Sequence, residues 1–337
     1  MESSRASHRP VRRSRRRPFL LSALAVVAVS GVTASGTVYV KARTHSGAGA
    51  VSSAGSPSAS SSATAGEEAA SVEPSTSPSA VDRRAVDQKG VDQKGVDRKA
   101  LLAEAMAAVS VPSGAKVSVA VLDPASGESA GYGEAAFDTA SIVKVDILAA
   151  LLLQAQDAGR RLTASEKAYA AKMIENSDNA AATALWQAIG RADGLDAANM
   201  RFGLTGTAGG SGELWGLTQT TAADQLALLR QVFGAEPDSV LSAASRSYVQ
   251  GLMKGVEADQ QWGVSAAAVG GSWALKNGWL PRSTTGLWVV NSIGRVTVDG
   301  ADYLVAVLSR GTVSQREGIS LVEAAARAAV SAFASAP

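Results

Sequence analysis

A serine and a lysine three positions apart open the most apolar helix that the sequence predicts. The segment DTASIVKVDILAALLLQ, residues 138–154, is apolar almost all the way round from Ile142 onward, so we expect a buried helix. Ser141 and Lys144 occupy positions i and i+3, which share one face of a helix. Burial lowers the pKa of a lysine, and a neutral amine beside a hydroxyl is a competent general base. The pair could therefore be a serine nucleophile with its base.

The same pair also has a purely structural interpretation. Ser141 could cap the helix N terminus, and Lys144 could extend its amine to solvent. Ser-x-x-Lys alone does not separate the two interpretations in a chain so rich in serine. The chemical interpretation has one further argument, because free amides at a helix N terminus carry partial positive charge and could polarise a substrate carbonyl.

Histidine and cysteine are excluded from any site in the predicted domain. The 337-residue chain has no cysteine, and its two histidines, His8 and His45, precede the region that is predicted to fold. Disulfides, thiolate chemistry, a Ser-His-Asp triad and most zinc sites are thereby excluded. A nucleophilic enzyme would need Lys, Asp, Glu or an amine as its base, and we expect neither a metal nor a cofactor.

The first hundred residues form two segments. Residues 1–41 hold the cationic block RPVRRSRRR and then an uncharged apolar run at 19–40, the order of an export signal or a membrane anchor rather than of a nucleic-acid site. The run is long enough to span a bilayer and has a small-residue cleavage pattern at 32–34, so both alternatives stay open. Residues 42–100, rich in Ser, Ala, Gly and Pro and ending in a five-residue repeat, predict a disordered linker. We expect a folded domain over 101–337, extracytoplasmic and either membrane-anchored or secreted.

The order of elements predicts an α+β fold. A β-hairpin at about 117–122 and 129–133 precedes a block of helices, and three strands within 271–311 precede a final helix at about 316–333. Strands joined by short turns are antiparallel. We therefore expect one antiparallel sheet, built from the N-terminal hairpin and the three C-terminal strands and packed with the helical block.

Two further motifs follow the Ser-x-x-Lys pair in the chain. Ser-Asp-Asn at 177–179 lies at a predicted helix-to-helix junction, where it could also be a capping loop. Lys-Asn-Gly at 276–278 lies in a predicted strand, although Asn-Gly is also typical of a tight turn. In this order, the three motifs resemble the signature of the penicillin-recognising serine hydrolases, which include class A β-lactamases and DD-peptidases. The resemblance covers roughly residues 101–337 and implies the same sheet-plus-helices fold.

The resemblance implies a role for each residue of the first two motifs. Ser141 would be the nucleophile that forms the acyl-enzyme, and Lys144 would be its base. Ser177 would relay a proton to the leaving nitrogen. Asn179 would hold Lys144 and contact the substrate amide.

The resemblance also implies that the third motif forms the substrate-binding strand. Lys276 would attract a substrate carboxylate and tune Ser177, with Asn277 and Gly278 beside it. The backbone N–H groups of Ser141 and Trp279 would form an oxyanion hole. Asn277 departs from the family, which has Thr or Ser there, and its bulkier amide changes how a carboxylate would be bound.

A second departure concerns hydrolysis of the acyl-enzyme. Class A β-lactamases carry a glutamate in an E-x-x-L-N stretch between the second and third motifs, and it activates the deacylating water. The corresponding region here, GLTGTAGGSGELWGLTQTTAADQ, lacks that stretch and has one glutamate, Glu213. Glu213 is thus the one candidate deacylation base in this loop, with a solvated loop carboxylate as the alternative. Trp215 and Trp279 could form an aromatic wall beside the cleft.

The sequence leaves more than one function open. The first is an exported acyl-serine hydrolase acting on β-lactams or on cell-wall peptides of the D-Ala-D-Ala type. The second is a non-catalytic or very slow penicillin- or cell-wall-binding module on a membrane-anchored stalk, and the third is an esterase for another acyl group. The intact Ser141, Lys144, Ser177 and Asn179 favour an enzyme, since a binding module has no need of a buried lysine.

Overall fold

A computed structural model describes residues 97–268 and 270–334. Its helices are α1 Arg98–Ala107, α2 Val143–Asp157, α3 Ala164–Glu175, α4 Asn179–Ala188, α5 Arg191–Phe202, α6 Ala222–Phe233, α7 Ala243–Lys254 and α8 Gln315–Ala334. Its strands are β1 Lys116–Leu122, β2 Ser129–Tyr132, β3 Phe137–Asp138, β4 Gln219–Thr220, β5 Trp273–Pro281, β6 Trp288–Val298 and β7 Ala301–Thr312.

Five strands form one antiparallel sheet in the order β2-β1-β7-β6-β5. The N-terminal hairpin lies at one edge, and the three C-terminal strands complete the sheet, with β5 at the other edge. The short strands β3 and β4 pair separately. The predicted α+β fold is confirmed, including the composition of its sheet. Lys-Asn-Gly lies inside β5, so the alternative of a tight turn at Asn-Gly is wrong.

The sheet is covered by helices on both faces. Along β7, Leu304, Ala306 and Leu308 pack into the core that contains α2, whereas Val305 and Val307 pack into the core that contains α8. This alternation is the period of two that a strand imposes on its side chains. Twelve of the fifteen residues of α2 are buried, as the apolar pattern of that segment predicts.

Two helices differ from the sequence-based expectations. The helix α5 was not predicted, because it begins directly after Gly190, the residue that ends the preceding helical segment; the φ of +93° at Gly190 turns the chain between them. The helix α1 begins at Arg98, inside the predicted linker. Asp97 caps this helix by accepting a hydrogen bond from the amide of Ala100, and the side chain of Leu102, a residue of the helix, is buried.

The predicted cationic segment with its signal or anchor, residues 1–41, lies outside the described residues. Residues 42–96 of the predicted linker also lie outside them. Of the helices that the structure describes, none combines the length and the apolar character that crossing a bilayer requires. The predicted domain limits therefore stay predictions.

We expect Leu102→Ala to lower the free energy of unfolding by about 2–5 kcal/mol, because it truncates a fully buried side chain that joins α1 to the core of α8. Urea unfolding measures the change. Met200→Ala is the matched control, since Met200 is 77% exposed, and its effect should stay within about 0.5 kcal/mol. Equal effects of the two substitutions would contradict the packing of α1 against the domain.

Candidate active site

Ser141 lies in a single 3₁₀ turn that leads into α2, and its side chain is half-buried. The residue before it, Ala140, has a φ of +48°, a left-handed conformation that costs a non-glycine residue about 1–3 kcal/mol. The sheet holds this turn in place. Asn291 on β6 donates from its side-chain amide to the carbonyls of Asp138 at 2.9 Å and Thr139 at 3.0 Å. Strain at Ala140 is thus offset by contacts with β6.

The two structural interpretations of the Ser141–Lys144 pair do not hold. The first turn of α2 has no side-chain cap, so Ser141 does not serve as one. Lys144 does not extend to solvent, since it is fully buried. Among the described hydrogen bonds, however, none joins Ser141 to Lys144 directly. The amine of Lys144 turns instead toward the loop between α3 and α4.

Lys144 Nζ lies within hydrogen-bond distance of three oxygens of that loop and of α4. They are the carbonyl of Ser177 at 2.7 Å, its hydroxyl at 3.0 Å and Asn179 Oδ1 at 2.8 Å. The ring of Trp215 covers the amine, with its centroid 4.9 Å away. Burial lowers the pKa of Lys144 to about 7, although the nearby carboxylate of Asp178 opposes the shift.

Lys276 reaches the same hydroxyl from the sheet. Its Nζ lies 3.0 Å from Ser177 Oγ and donates to the carbonyl of Asn277 at 3.0 Å, with Gln260 Oε1 at 3.5 Å. The side chain is fully buried. Burial, reinforced by the charge of Lys144, lowers the pKa of Lys276 well below its usual value. The Ser177 hydroxyl therefore lies between two amines whose lowered pKa values favour the neutral form of at least one of them at neutral pH.

Counting hydrogens shows what a neutral Lys144 can do. A neutral amine has two N–H groups and one lone pair. The carbonyl of Ser177 and Oδ1 of Asn179 accept those two hydrogens, since neither atom can donate. The lone pair then faces the third neighbour, the Ser177 hydroxyl at 3.0 Å, and accepting a proton from a hydroxyl is the chemistry of a general base.

The Ser-Asp-Asn segment combines a cap with the site. Asp178 caps α4 by accepting a hydrogen bond from the amide of Ala181 at 2.6 Å, as the capping interpretation predicts. Ser177, one residue earlier, has a φ of +55°. This left-handed turn presents both the carbonyl and the hydroxyl of Ser177 to Lys144. The capping interpretation and the site interpretation therefore hold together.

The edge strand β5 passes very close to the 3₁₀ turn. A Cβ atom at Gly278 would lie 2.6 Å from the amide nitrogen of Ser141 and 2.8 Å from the carbonyl of Thr139, which no side chain tolerates. Glycine is thus required by the approach of two backbones. Trp279 follows this point of contact directly in β5.

The side chain of Asn277 does not join this group, contrary to the expectation that it lines the substrate site. Neighbouring residues of a strand face opposite sides, so Asn277 points away from the face of Lys276. Its amide donates to the carbonyls of Gln260 at 2.7 Å and Trp262 at 2.9 Å, and the side chain is fully buried. Asn277 anchors the segment before β5 rather than facing Ser141.

The two tryptophans of the expected aromatic wall lie on opposite faces of the sheet. Trp215 covers Lys144 and donates from Nε1 to the Thr183 hydroxyl at 3.1 Å. Trp279 packs into the core of α8, where its ring centroid lies 5.8 Å from that of Trp262. Trp215 covers the amine of Lys144, and this contact was not predicted.

Glu213, the candidate deacylation base, faces away from the amines. Its carboxylate accepts from Arg191 Nε at 2.7 Å and from Gln187 Nε2 at 3.2 Å, and its side chain is 45% exposed. The hydrogen bond from Arg191 lowers the pKa of Glu213. The described contacts do not connect this carboxylate to Ser141 or Lys144. Its surroundings are those of a solvated loop ion pair.

Asp146 is a buried carboxyl that the sequence reasoning missed. It lies on α2, is fully buried and receives one long hydrogen bond of 3.4 Å from Gln225 Nε2, while its Oδ2 has no partner within the described residues. Burial raises the pKa of Asp146 to about 7. A charged residue inside an apolar run was the available signal.

Metal ligation finds no support in the part of the chain that the structure describes. There, no three or more His, Cys, Asp or Glu side chains come together to hold an ion.

Comparison with known proteins shows the family to which this chain belongs. The sequence model of the Beta-lactamase enzyme family matches residues 159–333, which is more than half of the 337-residue chain. The chain therefore belongs to this family. The matched range contains Ser177, Asn179 and Lys276, and it begins after Ser141. No curated protein matches the sequence.

Solved structures resemble the chain at low sequence identity. A mutant of PBP-A, solved as an acyl-enzyme complex with penicillin G, is 21% identical with a TM-score of 0.59, over 70% of this chain and 97% of its own. The TLA-1 extended-spectrum β-lactamase is 16% identical with a TM-score of 0.61, over 70% and 98%. A β-lactamase from Xanthomonas campestris pv. campestris is 22% identical with a TM-score of 0.55, over 68% and 95%. At these identities the likeness establishes the fold.

We expect Asp146→Asn to raise the free energy of unfolding at pH 7 by up to about 4 kcal/mol. The folded-state pKa of Asp146 lies above its unfolded value, so the unfolded chain binds fewer protons between pH 4 and 7. Stability therefore falls as pH rises through this window, and asparagine, which carries no charge, removes that slope.

Urea unfolding at pH 4.5, 5.5 and 6.5 measures this slope. Lys144 is charged in both states over most of this range, because its lowered pKa is about 7, so it adds little there. Asp238→Asn is the control, since Asp238 is exposed and should leave the slope unchanged. An unchanged slope in Asp146→Asn would mean that Asp146 is ionised in the folded protein.

Proposed function

We propose that this protein is a serine hydrolase that forms an acyl-enzyme at Ser141 with β-lactams or with cell-wall peptides of the D-Ala-D-Ala type. The observation that carries the proposal is the Ser177 hydroxyl, which lies 3.0 Å from each of two buried amines, Lys144 and Lys276. The acyl-enzyme of the PBP-A mutant with penicillin G, a neighbour in fold, supports this choice of acyl donor.

Acylation begins with proton transfer to the neutral amine of Lys144. As the proton leaves Ser141, its oxygen attacks the substrate carbonyl and a tetrahedral oxyanion forms. The amides of Ser141 and Trp279 donate to this oxyanion, and the contact at Gly278 keeps the two backbones together. Lys144 is then an ammonium, which its three oxygen neighbours stabilise.

Collapse of the tetrahedral species returns that proton to the leaving nitrogen. Ser177 gives its hydroxyl proton to the nitrogen as the carbon–nitrogen bond breaks, and it takes a proton from Lys144 in exchange. Lys276 donates to the Ser177 oxygen and stabilises the partial negative charge that develops there. The ester at Ser141 and a neutral Lys144 remain, so protons and charge balance.

Hydrolysis of the ester is the slow step in this proposal. A positioned base must activate a water, and the oxygens that contact Lys144 belong to Ser177 and Asn179 rather than to a carboxylate. Glu213 is engaged by Arg191 and Gln187, which leaves it no access to that water. A binding module without turnover would have no use for two buried amines, so no contact among the described residues favours that alternative. We also propose that the protein acts outside the cytoplasm, after export directed by residues 1–41.

We expect penicillin G to add its full mass to the protein, and the adduct to be absent in Ser141→Ala. Intact-mass spectrometry over time measures both formation and loss of the adduct. The adduct should persist far longer than in an efficient β-lactamase, because a positioned general base typically contributes about 10²–10⁴-fold. An adduct on Ser141→Ala would refute the assignment of the nucleophile.

Glu213→Gln tests the assignment of the slow step. We expect the lifetime of the adduct to change by less than about twofold, because the Glu213 carboxylate contributes a solvated ion pair rather than a base. Arg191→Gln removes the same ion pair from the other side and is the matched control. Rapid turnover in the wild type that is lost in Glu213→Gln alone would identify Glu213 as the deacylation base.

We expect the acylation rate to rise with pH and to level off above about pH 7. The neutral form of Lys144 is the reactive one, and burial lowers its pKa to about 7. Lys144→Ala should acylate about 10²–10⁴-fold more slowly and lose this pH dependence. Lys172→Ala, which changes an exposed lysine of α3, should leave both unchanged. If Lys144→Ala keeps the wild-type profile, another group is the base.

A further inference from the structure

A cationic cavity lies next to the segment that precedes Ser141. It has a volume of about 340 Å³, and its lining includes three basic side chains and one acidic one. These are Lys116, Arg282, Arg310 and Asp138. We propose that this cavity binds a carboxylate at the far end of an extended acyl donor whose reactive carbonyl lies at Ser141. The inference rests on the proposed function and specifies its substrate.

Two of the cations are held side by side by the sheet. Lys116 on β1 and Arg310 on β7 are direct partners in the strand register, so they share one face. Like charges directly opposite each other across antiparallel strands destabilise a sheet. An anion bound between the two would remove that repulsion. The pairing therefore has a reason if the cavity holds a negatively charged group.

The existing contacts of the cations leave donors free for a ligand. Arg310 uses one guanidinium N–H on the carbonyl of Ala136 at 3.0 Å, and Arg282 pairs with Asp138 at 3.1 Å. Lys116 is exposed and has no hydrogen-bond acceptor among the described residues. A guanidinium has five N–H donors, so each arginine keeps several. With Asp138 as the one carboxylate, the cavity carries a net charge of about +2.

The cavity lies on the same face of the sheet as the amines. Alternation along β7 places Arg310 with Leu308 and Ala306, which pack into the core that contains α2. Two residues that line the cavity are close in sequence to Ser141 or to the strand beside it. Asp138 lies three residues before Ser141, and Arg282 lies three residues after Trp279, next to the end of β5.

This separation of three residues indicates how long the acyl donor must be. Three residues of extended chain span about 10 Å, at about 3.3 Å per residue. A donor that lies along the outer edge of β5, the last strand of the sheet, with its carbonyl at Ser141, would therefore reach the cavity with a group about three residues away. The site thus favours an extended peptidyl donor with a carboxylate at its far end.

A matched pair of donors tests the inference on the full-length protein. Both are alanyl tripeptide thioesters with the same thiol leaving group; one has a succinyl cap and the other has the methyl ester of that cap. Thiol release gives kcat/KM for each. We expect the acid to be preferred by about tenfold at low ionic strength, and less as salt screens the cavity. Equal rates for the acid and the ester would overturn the inference.

Substitutions then assign the preference to the cavity. Lys116→Gln should lower the ratio of kcat/KM for the acid to that for the ester by about twofold to fivefold, the effect expected from removing one exposed charge. Lys116→Glu should lower this ratio further. Lys99→Gln is the matched control, because Lys99 is an exposed lysine elsewhere on the domain, and it should keep the wild-type ratio. Identical ratios in Lys116→Glu and Lys99→Gln would overturn the inference.

A fluorophosphonate separates this inference from the proposed function, since it labels reactive serines and carries no distal carboxylate. Labelling of Ser141 without a preference for the acid overturns the cavity assignment alone. Absence of both labelling and thiol release overturns the proposed function, and the substrate inference with it.

Discussion

Two buried amines meet at one hydroxyl, and the rest of the site depends on that contact. Lys144 comes from a helix buried in the core, Lys276 from the edge of the sheet, and Ser177 from a loop between two other helices. Burying an amine without partners is costly, so each position is stable only while the other two are in place. The contact thus joins three separate parts of the fold, and the burial that comes with it lowers the pKa of both lysines.

The position of Ser141 depends on a close contact between two backbones and on the side chain of Asn291. Ala140 has a left-handed conformation, Asn291 holds the residues before it, and Gly278 lets β5 approach the amide of Ser141. Strained backbone persists where the surroundings over-determine it. Here the sheet provides that rigidity, so the turn that carries Ser141 and the strand that carries Lys276 are positioned together.

The sequence predicted the fold and the residues that meet at the amines. The apolar pattern predicted that α2 is buried, whereas the grouping of Lys144, Ser177, Asn179 and Lys276 was implied by the resemblance of the three motifs to a known family. Side-chain direction was harder to predict. Asn277 and Trp279 face away from Lys276, since they stand at odd positions of a strand whose even positions face α2. Asp146 was missed although a charged residue inside an apolar run was the signal, because none of the three motifs includes it; burial raises its pKa to about 7.

The position of β5 as the last strand of the sheet has a consequence for self-association. An open edge strand is a template for any other extended chain, including a second copy of this protein. Proteins commonly protect such edges with proline and with charged residues that point inward. β5 has both, since it ends in Pro281, which has no N–H to offer, and carries Lys276 pointing into the core. The lysine that contacts the Ser177 hydroxyl thus also makes the strand a poor partner for its own copies.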